Sequence, residues 1–427
     1  MNDGGTTVSR IDRSLVGGLK ENVLSQLEQS LGAGRPSGNG DDSGDHVKRL
    51  VDAALRNNRS LDNLSVEKRD GLTRAVIAEL TGLGPLEELL EDETLSDILI
   101  NGPYDVWVDR SGVLEKSHVR FDSEQHLMHV LSRMVERHGR HLGDATPYVD
   151  ARLADGSRLH VMIPPLSDVG PVAAIRLGRS TPLTVDDLIG GGTLDRSMAD
   201  FLATAVKRRI NTVFSGGAAT GKTTLLNVFS RFIPHGERII TIEETREIYP
   251  NHPHAVALET RLPNAEGQGE IGLRVLLRNA LRMRADRIIV GEVRGDEVFD
   301  MLQAMNVGHQ GSLTTVHANS PADALLRFET LVLLAGFDVP SRAIRDMLGS
   351  AFDLLVHVER FGNGSRKITS ICEVGLTPDG FVTRELFKCT PAGQFEAVNI
   401  PLLLGRMGLG DEEMTKWFGS LQSSNHA

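Results

Sequence analysis

Cysteine is nearly absent: two residues in 427, Cys372 and Cys389, with no C-x-x-C pair. That excludes a disulfide framework and a four-cysteine zinc site, and it fits a reducing compartment. Aromatic residues make up only 4% and the net charge is −11. The chain therefore lacks the stacking rings and the basic field of a single-strand nucleic-acid track, and no direct nucleic-acid partner is expected. No apolar run approaches the roughly 18 residues of a membrane span. The start, Met1-Asn2-Asp3-Gly4-Gly5, has no signal-peptide core. The expected location is cytoplasmic, with any membrane association peripheral and through partners.

What is present is an ordinary soluble composition, 40% hydrophobic and 24% charged, at a length that calls for two or three domains. Residues 1–45, with the run Gly32 to Gly40, are too poor in apolar side chains to bury a core and are expected to form a flexible, disordered arm. Within it, Leu15 to Leu31 is amphipathic enough to become helical against a partner. Over 46–95 the spacing of Val47, Leu50, Val51 and Leu55, then Leu72, Val76, Ile77 and Leu80, predicts a helical segment. A smaller α+β domain is predicted over 96–180. It has strands at Asp97–Ile100 and Asp105–Val108, a helix from Glu124 to His138, a hairpin at Val149–Leu153 and Arg158–Ile163, and a strand at Val172–Leu177. Residues 181–193, ending in Gly190-Gly191-Gly192, read as a hinge. Strands then alternate with helices over 194–427, which argues an α/β domain on a mostly parallel sheet, and a strand-rich part runs from Phe352 to Phe387.

The most informative segment is Gly216-Gly217-Ala218-Ala219-Thr220-Gly221-Lys222-Thr223, followed by Thr224. It fits the phosphate-loop pattern G-x-x-x-x-G-K-[ST], with an apolar strand before it and a helix after it. Glycines let backbone N–H groups turn toward phosphate oxygens, and the helix N-terminus adds a favourable dipole. Lys222 supplies a charge for β/γ phosphates and Thr223 a hydroxyl for Mg²⁺, so ATP and magnesium are the expected ligands. Arg287 to Gly291 is an apolar strand that ends on Glu292, which can reach Mg²⁺ through water. Ile240-Thr241-Ile242-Glu243-Glu244 ends another strand on two carboxylates. Alternation aims one at the site, and Glu243 is the expected general base, with Glu244 and Glu247 as lesser candidates. A surface ion-pair role for all three is the competing reading. Thr314 to Asn319 ends a strand at His317, placed to sense a γ-phosphate, although such a histidine taken alone is more often structural. Arg274, Arg278 and Arg282 repeat at i, i+4 on one predicted helix over Gly269–Met283. They form either a solvated face or a source of arginine fingers.

Together these motifs resemble the secretion ATPase superfamily that powers type II and type IV secretion and pilus assembly. They are most similar to its CpaF/TadA branch, which drives tight-adherence (Flp-type) pili. The likeness runs from about Gly84-Pro85-Leu86 to Gly336. It takes in Asp150 to Arg158, Ile163-Pro164-Pro165, Glu243-Glu244, Gly291 to Gly295, Gly308 to Ser312 and Thr315 to Asn319. The resemblance implies a homohexameric ring with a RecA-like ATPase domain, acting on an inner-membrane platform protein. It implies that Arg278 and Arg282 lie near the phosphates and that Arg152, Arg158 and Arg176 reach toward the nucleotide from the N-terminal domain. It also leaves open a conjugation-type secretion ATPase that moves effectors or DNA–protein complexes. Ala219 departs from the family, which usually has glycine there. A motor acting directly on nucleic acid and a nucleotide-binding scaffold without turnover are the competing function classes.

Overall fold

The computed structural model describes residues 15–20, 22–23, 42–57, 65–110, 112–137, 140–153, 155–178, 183–261, 263, 268–377 and 380–422. The chain divides into two compact units, 1–180 and 181–427. Most of the expected arm, including the run 32–40, lies outside the described residues. Where the arm is described, the structure differs from the expectation. Residues 15–20 and 22–23 are helical, and Val16, Leu19 and Val23 are buried against Val51, Leu55, Leu72 and Val76. Lys20 also pairs with Glu79 at 3.0 Å. The amphipathic stretch thus finds an apolar partner in its own chain, on the helices Asp42–Asn57 and Val66–Thr81.

The rest of the N-terminal unit is a six-stranded antiparallel sheet. Its strands are β1 (Leu95–Asn101), β2 (Val106–Arg110), β3 (Val113–Lys116), β4 (Tyr148–Arg152), β5 (Arg158–Met162) and β6 (Val172–Arg176), in the order β3-β2-β1-β6-β5-β4. One face is apolar by alternation, as with Val106 and Val108 or Leu159 and Val161. The helix Glu124–Glu136 covers it, capped by the Ser123 hydroxyl and packing Leu127, Val130, Leu131 and Met134 into the same core.

In the C-terminal unit, β7 (Thr212–Gly216), β8 (Ile239–Glu243), β9 (Ala255–Glu259), β10 (Arg287–Val290), β11 (Leu313–His317) and β12 (Leu354–Arg360) pair in parallel. The hairpin strands β13 (Arg366–Thr377), β14 (Gly380–Cys389) and β15 (Phe395–Ala397) extend the sheet antiparallel. The full order is β15-β14-β13-β12-β7-β11-β10-β8-β9, the α/β arrangement of a RecA-like domain. Strands buried on both faces read as continuous runs, and all five residues of β7 and of β8 are buried. One face packs on the helices Arg196–Lys207, Lys222–Ser230 and Asp411–Gln422. The other packs on Leu273–Ala280, Glu297–Asn306, Pro321–Leu334 and Ser341–Ala351.

The expected hinge, 181–193, differs too. Thr181 and Pro182 lie outside the described residues. From Leu183 on, the segment is part of the C-terminal core. Thr184 and Asp187 form a reciprocal capping box on the helix Val185–Gly190, whose Leu188 is buried in that core. The Thr193 carbonyl accepts from the Ile368 N–H at 2.8 Å.

Candidate nucleotide site

In a parallel sheet all strands end at the same edge, and loops after neighbouring strands meet there. The ends of β7, β8, β10 and β11 bring Gly216, Glu243, Glu292 and His317 to one edge of this sheet, with His317 directly opposite Gly216 in register. The phosphate loop starts where no side chain fits. A Cβ on Gly216 would lie 2.2 Å from the Val358 carbonyl oxygen of β12, and its φ is 155°. The loop closes on itself when the buried Thr220 hydroxyl donates to the Gly217 carbonyl at 3.0 Å. Gly217 is half-buried and Ala218 and Ala219 are exposed. The following helix, Lys222–Ser230, starts at Gly221 with no side-chain cap. A glycine at that position brings no capping side chain to the start of the helix, which suits an anion.

Lys222 is buried, and its ammonium donates to the Gly217 carbonyl at 2.7 Å and to His317 Nδ1 at 3.3 Å. The other ring nitrogen of His317, Nε2, lies 3.3 Å from Glu292 Oε1. One neutral imidazole satisfies both contacts, with Nδ1 accepting and Nε2–H donating. Burial and then the Lys222 charge push the His317 pKa below its ordinary value, which favours that neutral form. Arg294 extends the line, 2.7 Å from Glu244 and 3.9 Å from Glu292.

Glu243, the last residue of the doubly buried β8, is almost fully buried, while Glu244, just beyond the strand, is exposed. Glu243 Oε1 accepts from the N–H groups of Glu247 at 2.9 Å and Ile248 at 3.1 Å; its Oε2 is buried with no hydrogen-bond partner. Burial pushes this carboxyl up to about 7, against the lowering effect of those two bonds. Gly291 makes room for it, since a Cβ there would lie 2.9 Å from Glu243 Cγ. An orphaned buried oxygen, an uncapped helix start and a carboxylate, Glu292, within a relay to Lys222 are a donor set that fits a magnesium nucleotide.

The arginines separate. The predicted helix over Gly269–Met283 is shorter, Leu273–Ala280, so Arg282 lies in the turn beyond it and is exposed. Arg274 and Arg278 are engaged by Asp300 at 2.6 and 2.8 Å, and Arg274 also by Asp296 at 3.0 Å. The uniform basic stripe is thus corrected: two of its members tie neighbouring helices together. In the N-terminal unit, Arg152 is paired with Arg158 and Arg158 with Arg176 in register, so three arginines occupy successive cross-strand positions on β4, β5 and β6. Arg176 is followed by Asp97 on β1, to which it bonds at 3.3 Å.

Two side chains that no motif pointed to also touch the phosphate-loop segment. Buried His357 of β12 has Nδ1 2.9 Å from the Ser215 hydroxyl, and Arg366 of β13 donates to the Ala219 carbonyl at 3.1 Å. Each lies more than 140 residues from the residue it touches.

Residues 79–373, spanning all these strand ends, match the family described as type II/IV secretion system protein. A Mycobacterium tuberculosis (strain H37Rv) protein provisionally named for conjugal transfer is 40% identical over 304 residues, which is 70% of this chain and 86% of the relative. The type IV secretion system protein VirB11 of Bartonella quintana is 31% identical over 353 residues, covering 72% of this chain and 96% of the relative. Among solved structures, the VirB11 ATPase from the Brucella suis type IV secretion system, in complex with sulphate, is 27% identical. That alignment covers 68% of this chain and 95% of that chain, with a TM-score of 0.37. Among the described residues no helix is long and apolar enough to cross a membrane. The chain belongs to the type II/IV secretion system protein family.

Proposed function

We propose that this protein is an ATPase motor that hydrolyses Mg-ATP to drive a type IV secretion machine of the conjugation type. The observation that carries the hydrolysis reading is the Lys222–His317–Glu292 relay at the strand ends, beside the buried carboxyl of Glu243. Lys222 and the loop N–H groups would bind and orient the phosphates, and Thr223 with Glu292 would hold magnesium, which would supply neutralisation of phosphate charge. Glu243, with a carboxyl poised near neutrality, takes a proton from the attacking water. His317 reports whether a γ-phosphate is present, and Arg152, Arg158 and Arg176, with exposed Arg282, are the candidates to stabilise transition-state charge. Arg278 is a weaker candidate because Asp300 engages it.

The names of the relatives, conjugal transfer protein and VirB11, support the conjugation-type reading over the tight-adherence pilus branch. A homohexamer at the cytoplasmic face, with an inner-membrane partner and effectors or DNA–protein complexes as cargo, completes the proposal. Magnesium-dependent phosphate release that Lys222→Ala abolishes is the expected result. Full hydrolysis by that variant overturns the site. Prepilin and prepilin-peptidase genes beside this one, in place of channel and coupling-protein genes, would shift the reading to the pilus branch.

A further inference from the structure

Ala219 holds φ at 57°, in the left-handed region where a Cβ crowds the carbonyl that follows it. Nothing about alanine favours that conformation, so its surroundings have to hold it. The restraint comes from a strand outside the nucleotide motifs. Arg366, the first residue of β13, donates its Nε–H to the Ala219 carbonyl at 3.1 Å. Its aliphatic stem lies along the loop as well, because a Cβ on Gly221 would fall 3.4 Å from Arg366 Cδ. β13 is a firm base for this contact. Arg366 pairs with Arg360 of β12, and β12 is the parallel neighbour of β7, with Val358 opposite Gly216. The guanidinium is therefore delivered by the same sheet that carries the loop.

The direction of that bond matters. In a trans peptide the C=O and the next N–H point in opposite directions. Tethering the Ala219 oxygen to Arg366 therefore turns the Thr220 N–H away from Arg366. Fixed, convergent N–H groups are what a phosphate oxygen needs from such a loop.

We infer that Arg366 is a positioning residue for the phosphate loop. It locks the Ala219–Thr220 peptide in its nucleotide-binding orientation and substitutes for the conformational ease that glycine would bring to position 219. This inference rests on the nucleotide-site reading above.

The test is a double-mutant cycle on the full chain, titrating a fluorescent ATP analogue in the presence of magnesium. Arg366→Gln in the parent weakens binding about five- to tenfold, the size expected for losing one exposed hydrogen bond of ordinary net strength. In an Ala219→Gly background the same change weakens binding less than about twofold, because glycine holds the conformation unaided. Arg366→Lys, which keeps a donor, recovers part of the loss. Melting temperatures of all four proteins in the cycle are read alongside. A loss from disturbed sheet packing would be equal in both backgrounds, and that result overturns the inference. No loss in either background overturns it too. If the parent itself fails to bind Mg-ATP, the nucleotide-site reading falls, and the inference with it.

Discussion

Lys222 and His317 are hydrogen-bonded to each other, Nζ to Nδ1 at 3.3 Å, across 95 residues of sequence. Through its other nitrogen the same imidazole meets Glu292. A single neutral ring therefore holds the cation of the phosphate loop and an anion from the next strand end. On the proposed function, an arriving triphosphate would compete for that lysine and so reach His317 directly.

His317→Ala removes both contacts but leaves Lys222 its bond to the Gly217 carbonyl. The expected outcome is a change in Mg-ATP affinity of less than about threefold and a fall in kcat of about 10- to 100-fold, since a hydrogen bond to a charged group contributes ~1.5–3 kcal/mol. Nucleotide titration and steady-state phosphate release separate the two effects. An unchanged kcat would remove His317 from the mechanism.

Glu243 predicts opposite pH trends for stability and catalysis. Its carboxyl is raised by burial from an ordinary value of 4.5 to about 7. Between those values the native state binds more protons than the unfolded chain. The stability it contributes is therefore complete below 4.5 and is lost as pH rises through about 7. Glu243→Gln should consequently melt above the parent at pH 8 and show little difference at pH 5. Catalysis needs the ionised carboxylate, so kcat/KM should climb with pH and level off above about 7. Thermal melts and rate profiles across that range check both, and a flat kcat/KM profile would count against Glu243 as the base.

The phosphate loop and its acidic partners were legible because each is a short run whose residue types have a local reason. Glycines mark places no Cβ can occupy, and apolar residues lead to a polar strand end. The same local logic misread 183–193, where three consecutive glycines suggested a hinge; the capping box of Thr184 and Asp187 ties the segment into the core instead. The fate of Leu15 to Val23 was also not written locally, since an amphipathic helix does not say which surface it will cover. β9 was overlooked because Ala255 to Glu259 has only two large apolar residues, and its burial alternates between intermediate and exposed. Arg366 and His357 gave no signal at all. Their roles depend on β12 and β13 folding back beside β7, a long-range pairing that no periodicity encodes.

The arginine row of the N-terminal unit separates stability from activity. Arg158 stands between Arg152 and Arg176 on adjacent strands. Like charges placed directly opposite are destabilising by roughly 0.2–1 kcal/mol per pair. Arg176 is also bonded to Asp97, and on the proposed function an anionic ligand is a further partner for the arginines. Arg158→Gln interrupts the row while preserving the polar side chain. Its melting temperature should stay within about 2 °C of the parent or rise, because the relieved repulsion offsets any lost packing. Its ATP turnover should fall by about tenfold or more, the effect of removing one cation from developing phosphate charge. Melting curves and phosphate-release rates on the same preparations decide the matter. A variant that is less stable yet fully active would mean that the row serves the sheet and not the nucleotide.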